Sequence, residues 1–102
     1  MIHNDECKLV TLTASEATVT RTETSVFCGK KSVSYREFYA AVEVGINPAY
    51  IFEMDVDEYE TAVKTTNGVR QIPTELIYGG AKFNIIRTYE KPDGTIEVTV
   101  SL

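Results

Sequence analysis

The sequence predicts a mainly β domain with one α-helix, folded as a small antiparallel β-barrel or sandwich of about six strands. Three observations predict it. Residues 8–13 and 17–28 are dense in β-branched side chains, residues 50–56 and 95–102 alternate with a period of two, and a capping box opens a single amphipathic stretch at about 34–44. Strands grouped around one helix, rather than alternating with helices, exclude a doubly wound parallel sheet. At 102 residues, 43% of them hydrophobic and 25% charged, the chain has material for one core, so a single domain over 1–102 is expected.

The first two strands differ in character. Lys8-Leu9-Val10-Thr11-Leu12-Thr13 has apolar residues to bury. In the second segment, Thr18, Thr20, Thr22 and Thr24 share one face while Arg21, Glu23 and Ser25 share the other, which leaves its middle little to bury. A partly exposed ribbon or a mobile loop is therefore expected over 14–25, with Val26 and Phe27 entering the core.

Ser34-Tyr35-Arg36-Glu37 starts the helix, because the Ser34 hydroxyl can accept from a backbone N–H of the first turn while Glu37 reaches back to the cap. Tyr35, Phe38, Tyr39 and Val42 then fall on one stripe, and their spacing reads as core packing rather than as a base-stacking platform. Gly45 and Pro48 end the helix.

Tyr50, Phe52, Met54 and Val56 alternate with Ile51, Glu53 and Asp55, a strand with one buried face. From Asp57 to Pro73 neither period is sustained, and Thr65-Thr66-Asn67-Gly68 is turn chemistry, so a long loop is expected. Thr74 to Tyr78, Gly79-Gly80 and Ala81 to Glu90 read as a hairpin, and Pro92-Asp93-Gly94 opens a second one into Thr95–Leu102. The C-terminal third is thus a three-stranded meander. Within it, Arg87 and Tyr89 are expected on the face of Phe83 and Ile85, with the Arg87 stem partly buried and the guanidinium in a structural hydrogen bond.

Catalytic chemistry finds little material. His3 is the sole histidine and stands at the N-terminus, so Ser-His-Asp, Cys-His and His-based zinc arrangements lack their central part. Cys7 and Cys28 have no CxxC spacing and are read as reduced, partly buried thiols. Gly79-Gly80 lies between strands, where it is a turn and not a phosphate cradle. Five carboxylates in Glu53-Met54-Asp55-Val56-Asp57-Glu58-Tyr59-Glu60 lack the glycine and ligand spacing of a calcium loop and read as a solvated edge. No enzyme activity, cofactor or metal is expected. A net charge of -5, with Lys30-Lys31 the only adjacent basic pair, disfavours tight binding of nucleic acid, although an acidic subunit can line a conduit through which DNA slides. No apolar run spans a bilayer, and Met-Ile-His-Asn-Asp-Glu lacks a secretory pattern, so function in a cytoplasm and no membrane partner are expected.

Two stretches taken together resemble a known family. Ser34-Tyr35-Arg36-Glu37-Phe38-Tyr39-Ala40-Ala41, continuing through Gly45-Ile46-Asn47-Pro48-Ala49-Tyr50-Ile51-Phe52, is followed about thirty positions on by Ile77-Tyr78-Gly79-Gly80-Ala81-Lys82-Phe83-Asn84-Ile85-Ile86-Arg87-Thr88-Tyr89-Glu90. In their order these are similar to the head-closure or head-tail joining (connector, stopper-like) family of long-tailed phages and prophages. The resemblance implies a structural virion protein, monomeric when free, that closes into a ring beneath the portal and joins the DNA-filled head to the tail. Its implied partners are portal or adaptor proteins and tail-completion proteins, in the host bacterial cytoplasm during assembly and at the virion head-tail interface afterwards. DNA passes nearby without specific binding. It also points to the 57–73 segment as the channel or interface loop, with Asp57, Glu58, Glu60, Lys64 and Arg70 as its charged members. A small ligand-binding β-barrel module without catalytic activity is the alternative.

Overall fold

The computed structural model of the protein describes residues 4–15, 17–32 and 48–102. The described strands are β1 (Asp5–Ser15), β2 (Thr18–Ser32), β3 (Pro48–Asp55), β4 (Lys64–Thr66), β5 (Val69–Gln71), β6 (Glu75–Tyr78), β7 (Ala81–Glu90) and β8 (Thr95–Ser101), with one short helix, α1 (Val56–Glu60). Six of them close an antiparallel barrel in the order β1-β2-β3-β8-β7-β6, and β4 and β5 form a separate two-stranded sheet. The mainly β barrel expected from sequence is therefore the fold. The helix expected at 34–44, with Tyr35, Phe38 and Tyr39, lies outside the described residues, as does His3.

The interior is filled by residues of all six barrel strands. Leu9, Val26, Phe52, Met54, Leu76, Phe83, Ile96, Val98 and Val100 meet in one cluster, completed by Cys7 and Cys28. The rings of Phe52 and Phe83 lie 6.4 Å apart and tilted, with Tyr78 5.0 Å from Phe52 and Tyr50 edge-on to Phe83 at 5.7 Å, offset geometries that suit the charge distribution of aromatic rings. Such a core leaves the barrel solid rather than hollow.

The long β1–β2 ladder pairs Asp5 with Cys28 and continues without a bulge to Ser15 opposite Thr18. Only Lys8, Leu9 and Val10 of β1 also pair with β6, and only residues 29–32 of β2 pair with β3. Hence the far part of the hairpin projects from the barrel as a two-stranded arm. The 14–25 segment is the ribbon of the two forms anticipated, since its threonines satisfy a ladder without having to fill a core. Phe27 corrects the expectation for its end. Val26 is 2% exposed but Phe27 is 56% exposed, because neighbouring residues of a strand face opposite ways and only one of the two can point inward.

The 57–73 segment is the larger correction. It holds α1, a turn, and the β4–β5 hairpin rather than a structureless loop. Asn67 and Gly68, at φ 52° and 78°, make the tight turn between Thr66 and Val69, the left-handed pair that a two-residue hairpin demands. The C-terminal meander has the expected form, with Gly79 and Gly80 at φ 58° and 80° joining β6 to β7. One irregularity in it matters. Ile85 pairs with Val100 but Arg87 pairs with Thr99, so Ile86 is a bulged residue without its own partner on β8. The bulge reverses the alternation: Arg87 and Tyr89 lie opposite the outward Thr99 and Glu97, and both are exposed instead of sharing the face of Phe83 and Ile85.

Candidate functional site

The end of the barrel at which β3 stops and β8 begins is closed by α1 and the residues that follow it. Tyr59 and Ala62 are buried in the core cluster at 3% and 0% exposure, while Val56 and Val63 pack against its edge. The Val56 amide donates to the Gly94 carbonyl at 2.9 Å, which ties the first turn of α1 to the β7–β8 turn. On the arm side, the buried Thr11 hydroxyl donates to the Ala62 carbonyl at 2.5 Å, fixing the C-terminal exit of α1 against β1. The arm and the cap thus occupy the same end of the molecule, which brings the 14–25 and 57–73 segments together.

The five charged residues expected in the loop are distributed over this cap. Asp57 and Glu58 stand in the first turn of α1, where carboxylates face the positive end of the peptide dipoles; Asp57 is exposed and Glu58 half-buried. Glu60 ends the helix, Lys64 begins β4 and Arg70 is central in β5. Arg70 donates from both Nη atoms to Glu60, at 2.8 and 3.2 Å, a fork that pins the hairpin to the helix. That hydrogen-bonded carboxylate raises the Arg70 pKa further above its ordinary value. Lys64 donates to the Thr61 carbonyl at 3.2 Å. Burial raises the Tyr59 phenol, so it remains neutral beneath the charged surface. Three of the five residues are therefore committed to holding the cap together. Asp57 is the exposed carboxylate of the first turn, with Glu58 half-buried beside it.

Two further arrangements had no signal in the sequence because their partners are distant along the chain. On the outer face Glu53 and Glu97 pair directly across β3 and β8, a juxtaposition of like charges that needs cations. Lys91 supplies one, 2.5 Å from Glu53 and 3.7 Å from Glu97, and Lys31 bonds Glu97 from the other side. Glu53 is accordingly buried, not part of a solvated acidic edge. Lys30, adjacent in sequence to Lys31, turns the other way: its Nζ stands 4.5 Å from the Tyr50 ring centre and 5.3 Å from that of Tyr78. The only adjacent basic pair is thus split between two faces and forms no phosphate-binding patch.

Cys7 and Cys28, remote in sequence, are diagonal neighbours on the inner face, since Cys7 lies opposite Val26. Both are free and buried. Hydrogen bonding to Cys28, and then burial, pushes the Cys7 thiol well above its ordinary pKa, the opposite of what a nucleophilic cysteine needs. A depression of about 330 Å³ lies on the outer face between Arg87, Thr88, Tyr89, Glu97 and Thr99. Among the described residues, no three His, Cys, Asp or Glu side chains converge as metal ligands would, and no helix is long and apolar enough to cross a membrane. Comparison with protein-family models gave no match, and neither did comparison with curated proteins.

Proposed function

We propose that the protein is a non-enzymatic joining subunit of a tailed-phage or prophage particle, assembling as a ring between the portal and the tail. The reading starts from the ordered motifs at 34–52 and 77–90. The observation that carries it is the clustering of the β1–β2 arm and the charged α1–β4–β5 cap at one end of a solid barrel. A ring subunit needs two unlike surfaces that complement each other around the axis, and a projecting arm beside a compact cap offers both. Asp57, exposed on the cap, with Glu58 half-buried beside it, suits a channel border, where carboxylates repel phosphate and keep DNA moving. The filled interior favours this reading over a ligand-binding module, whose ligand would occupy the space held by Phe52, Met54 and Leu76.

Deleting the protein from a producing phage or prophage should give DNA-packaged heads that carry no tails and leak their genome. Normal yields of infectious, tailed particles from the deletion would sink the proposal. Within it, Asp57→Lys with Glu58→Lys is expected to leave ring assembly intact and to slow DNA ejection, read by release of fluorescent DNA from purified particles.

A further inference from the structure

We infer that two copies of this chain pair through the outer edge of the β2 arm, antiparallel about Thr22, to form a two-fold dimer. From 18 to 28, one edge of β2 is bonded to β1 and the other meets no strand among the described residues. Residues 18–21, 23 and 25 of this stretch are exposed and 22 and 24 half-buried, and α1 also packs against β2. The usual devices that blunt a strand edge are missing from it: there is no proline, no lysine and no bulge. Its only charges are Arg21 and Glu23.

Those two charges select the occupant. An antiparallel pair centred on Thr22 sets Arg21 of each copy opposite Glu23 of the other, Thr20 opposite Thr24 and Val19 opposite Ser25. Every pair then joins residues of the same face, as an antiparallel ladder requires. Centring on Arg21 or on Glu23 instead places two like charges together on the axis. A shift by one residue pairs the inner face of one arm with the outer face of the other. Only one register therefore has both faces and charges matched, and it relates the edge to itself, the property that closes a two-fold interface. Arg21 already donates to Glu75 at 2.7 Å and approaches Glu23 at 3.5 Å, which holds its guanidinium on the arm's outer face. Glu75 lies on β6, beyond β1 from the free edge, and Glu23 has Lys8 at 3.8 Å, so pairing exchanges these contacts within the chain for Arg21–Glu23 contacts across the axis.

Pairing replaces the free monomer that the family resemblance implies. The interpretation of the dimer as a stored form, which keeps the arm edge covered until a ring neighbour displaces it, rests on the head-tail reading; the pairing does not.

The test uses the full chain in sedimentation velocity over a concentration series. The wild type should sediment as a dimer. Arg21→Glu leaves four carboxylates around the axis and Glu23→Arg leaves four guanidiniums, so each variant alone should be a monomer. An equimolar mixture of the two should restore the dimer as a heterodimer, because each negative position then meets a positive one. Restoration on mixing also shows that both variants fold. Thr22→Cys supplies an independent reading: with added oxidant it should cross-link two copies, whereas Val19→Cys should not. A wild type that stays monomeric, variants that remain dimeric, or a Thr22→Cys chain that fails to cross-link overturns the inference. Dimerisation with normal virions after deletion would remove the head-tail reading alone, and a tailless deletion with a monomeric chain would remove the dimer alone.

Discussion

Thr11 shows how much one hydroxyl can hold. It is fully buried on β1, and its partner is a backbone carbonyl 51 residues away. Thr11→Val keeps the shape and leaves the Ala62 carbonyl without its donor, so a loss of about 1–3 kcal/mol is expected in urea unfolding. The ionic groups give opposite pH limbs. The Lys82 and Arg21 contacts hold the Glu75 carboxyl below its ordinary value, so its contribution is present above about pH 4.5 and lost as pH falls through the lower folded value. Glu75→Gln should flatten the acid limb of a stability-pH curve. Lys91 runs the other way, since its hydrogen bond to Glu53 raises its pKa; its contribution is full below about pH 10.5 and lost as pH rises through the folded value. Lys91→Met should flatten the alkaline limb. Equal limbs in wild type and variants would contradict both assignments. None of these residues was legible beforehand as a partner, because each contact is made across the sheet between positions far apart in sequence.

For whole elements, legibility follows the range of the interaction that decides them. The β6–β7 and β7–β8 hairpins were plain in sequence because Gly79-Gly80 and Pro92-Asp93-Gly94 specify their own turns. Asp93 adds a local lock, accepting from the Thr95 amide at 3.0 Å. The β4–β5 hairpin carried the same kind of signal in Asn67-Gly68, obscured by strands of three residues each that have little alternation to show. α1 was hidden by length, since five residues make too short a window for a period. Extending the window to Val56, Tyr59, Ala62 and Val63 reveals its apolar stripe. The bulge at Ile86 had no local mark, and Arg87 and Tyr89 were placed on the wrong face in consequence. Sequence groups the five candidate channel residues in one segment, but the Glu60–Arg70 fork within it has no local signal. Breaking that fork by Arg70→Met should release the hairpin while the barrel stands. Faster amide hydrogen exchange confined to 64–71, with core strands unchanged, is the expected pattern; uniform acceleration would mean that the cap is part of the barrel's global unfolding unit. Gly80→Ala, at φ 80°, is expected to cost about 1 kcal/mol through backbone strain, measured by thermal unfolding.

Across the whole molecule, stability resides in the barrel. Phe52 contacts three other rings at its centre, and Phe52→Ala should cost about 3–5 kcal/mol. The arm contributes little to that core, and its amides should exchange by local opening well before those of β3 and β8. Yet its attachment gives it another property. β1 hands over to β6 at residues 8–10, and β2 hands over to β3 at residues 29–32. Around the closed barrel, β6 and β3 are separated by β1 and β2 on one side and by β7 and β8 on the other. A pull on the arm's tip is therefore split between opposite walls, where it loads ladders of hydrogen bonds along the strands instead of peeling them one at a time. The arm is soft where it ends and mechanically anchored where it begins, as a tether under tension must be.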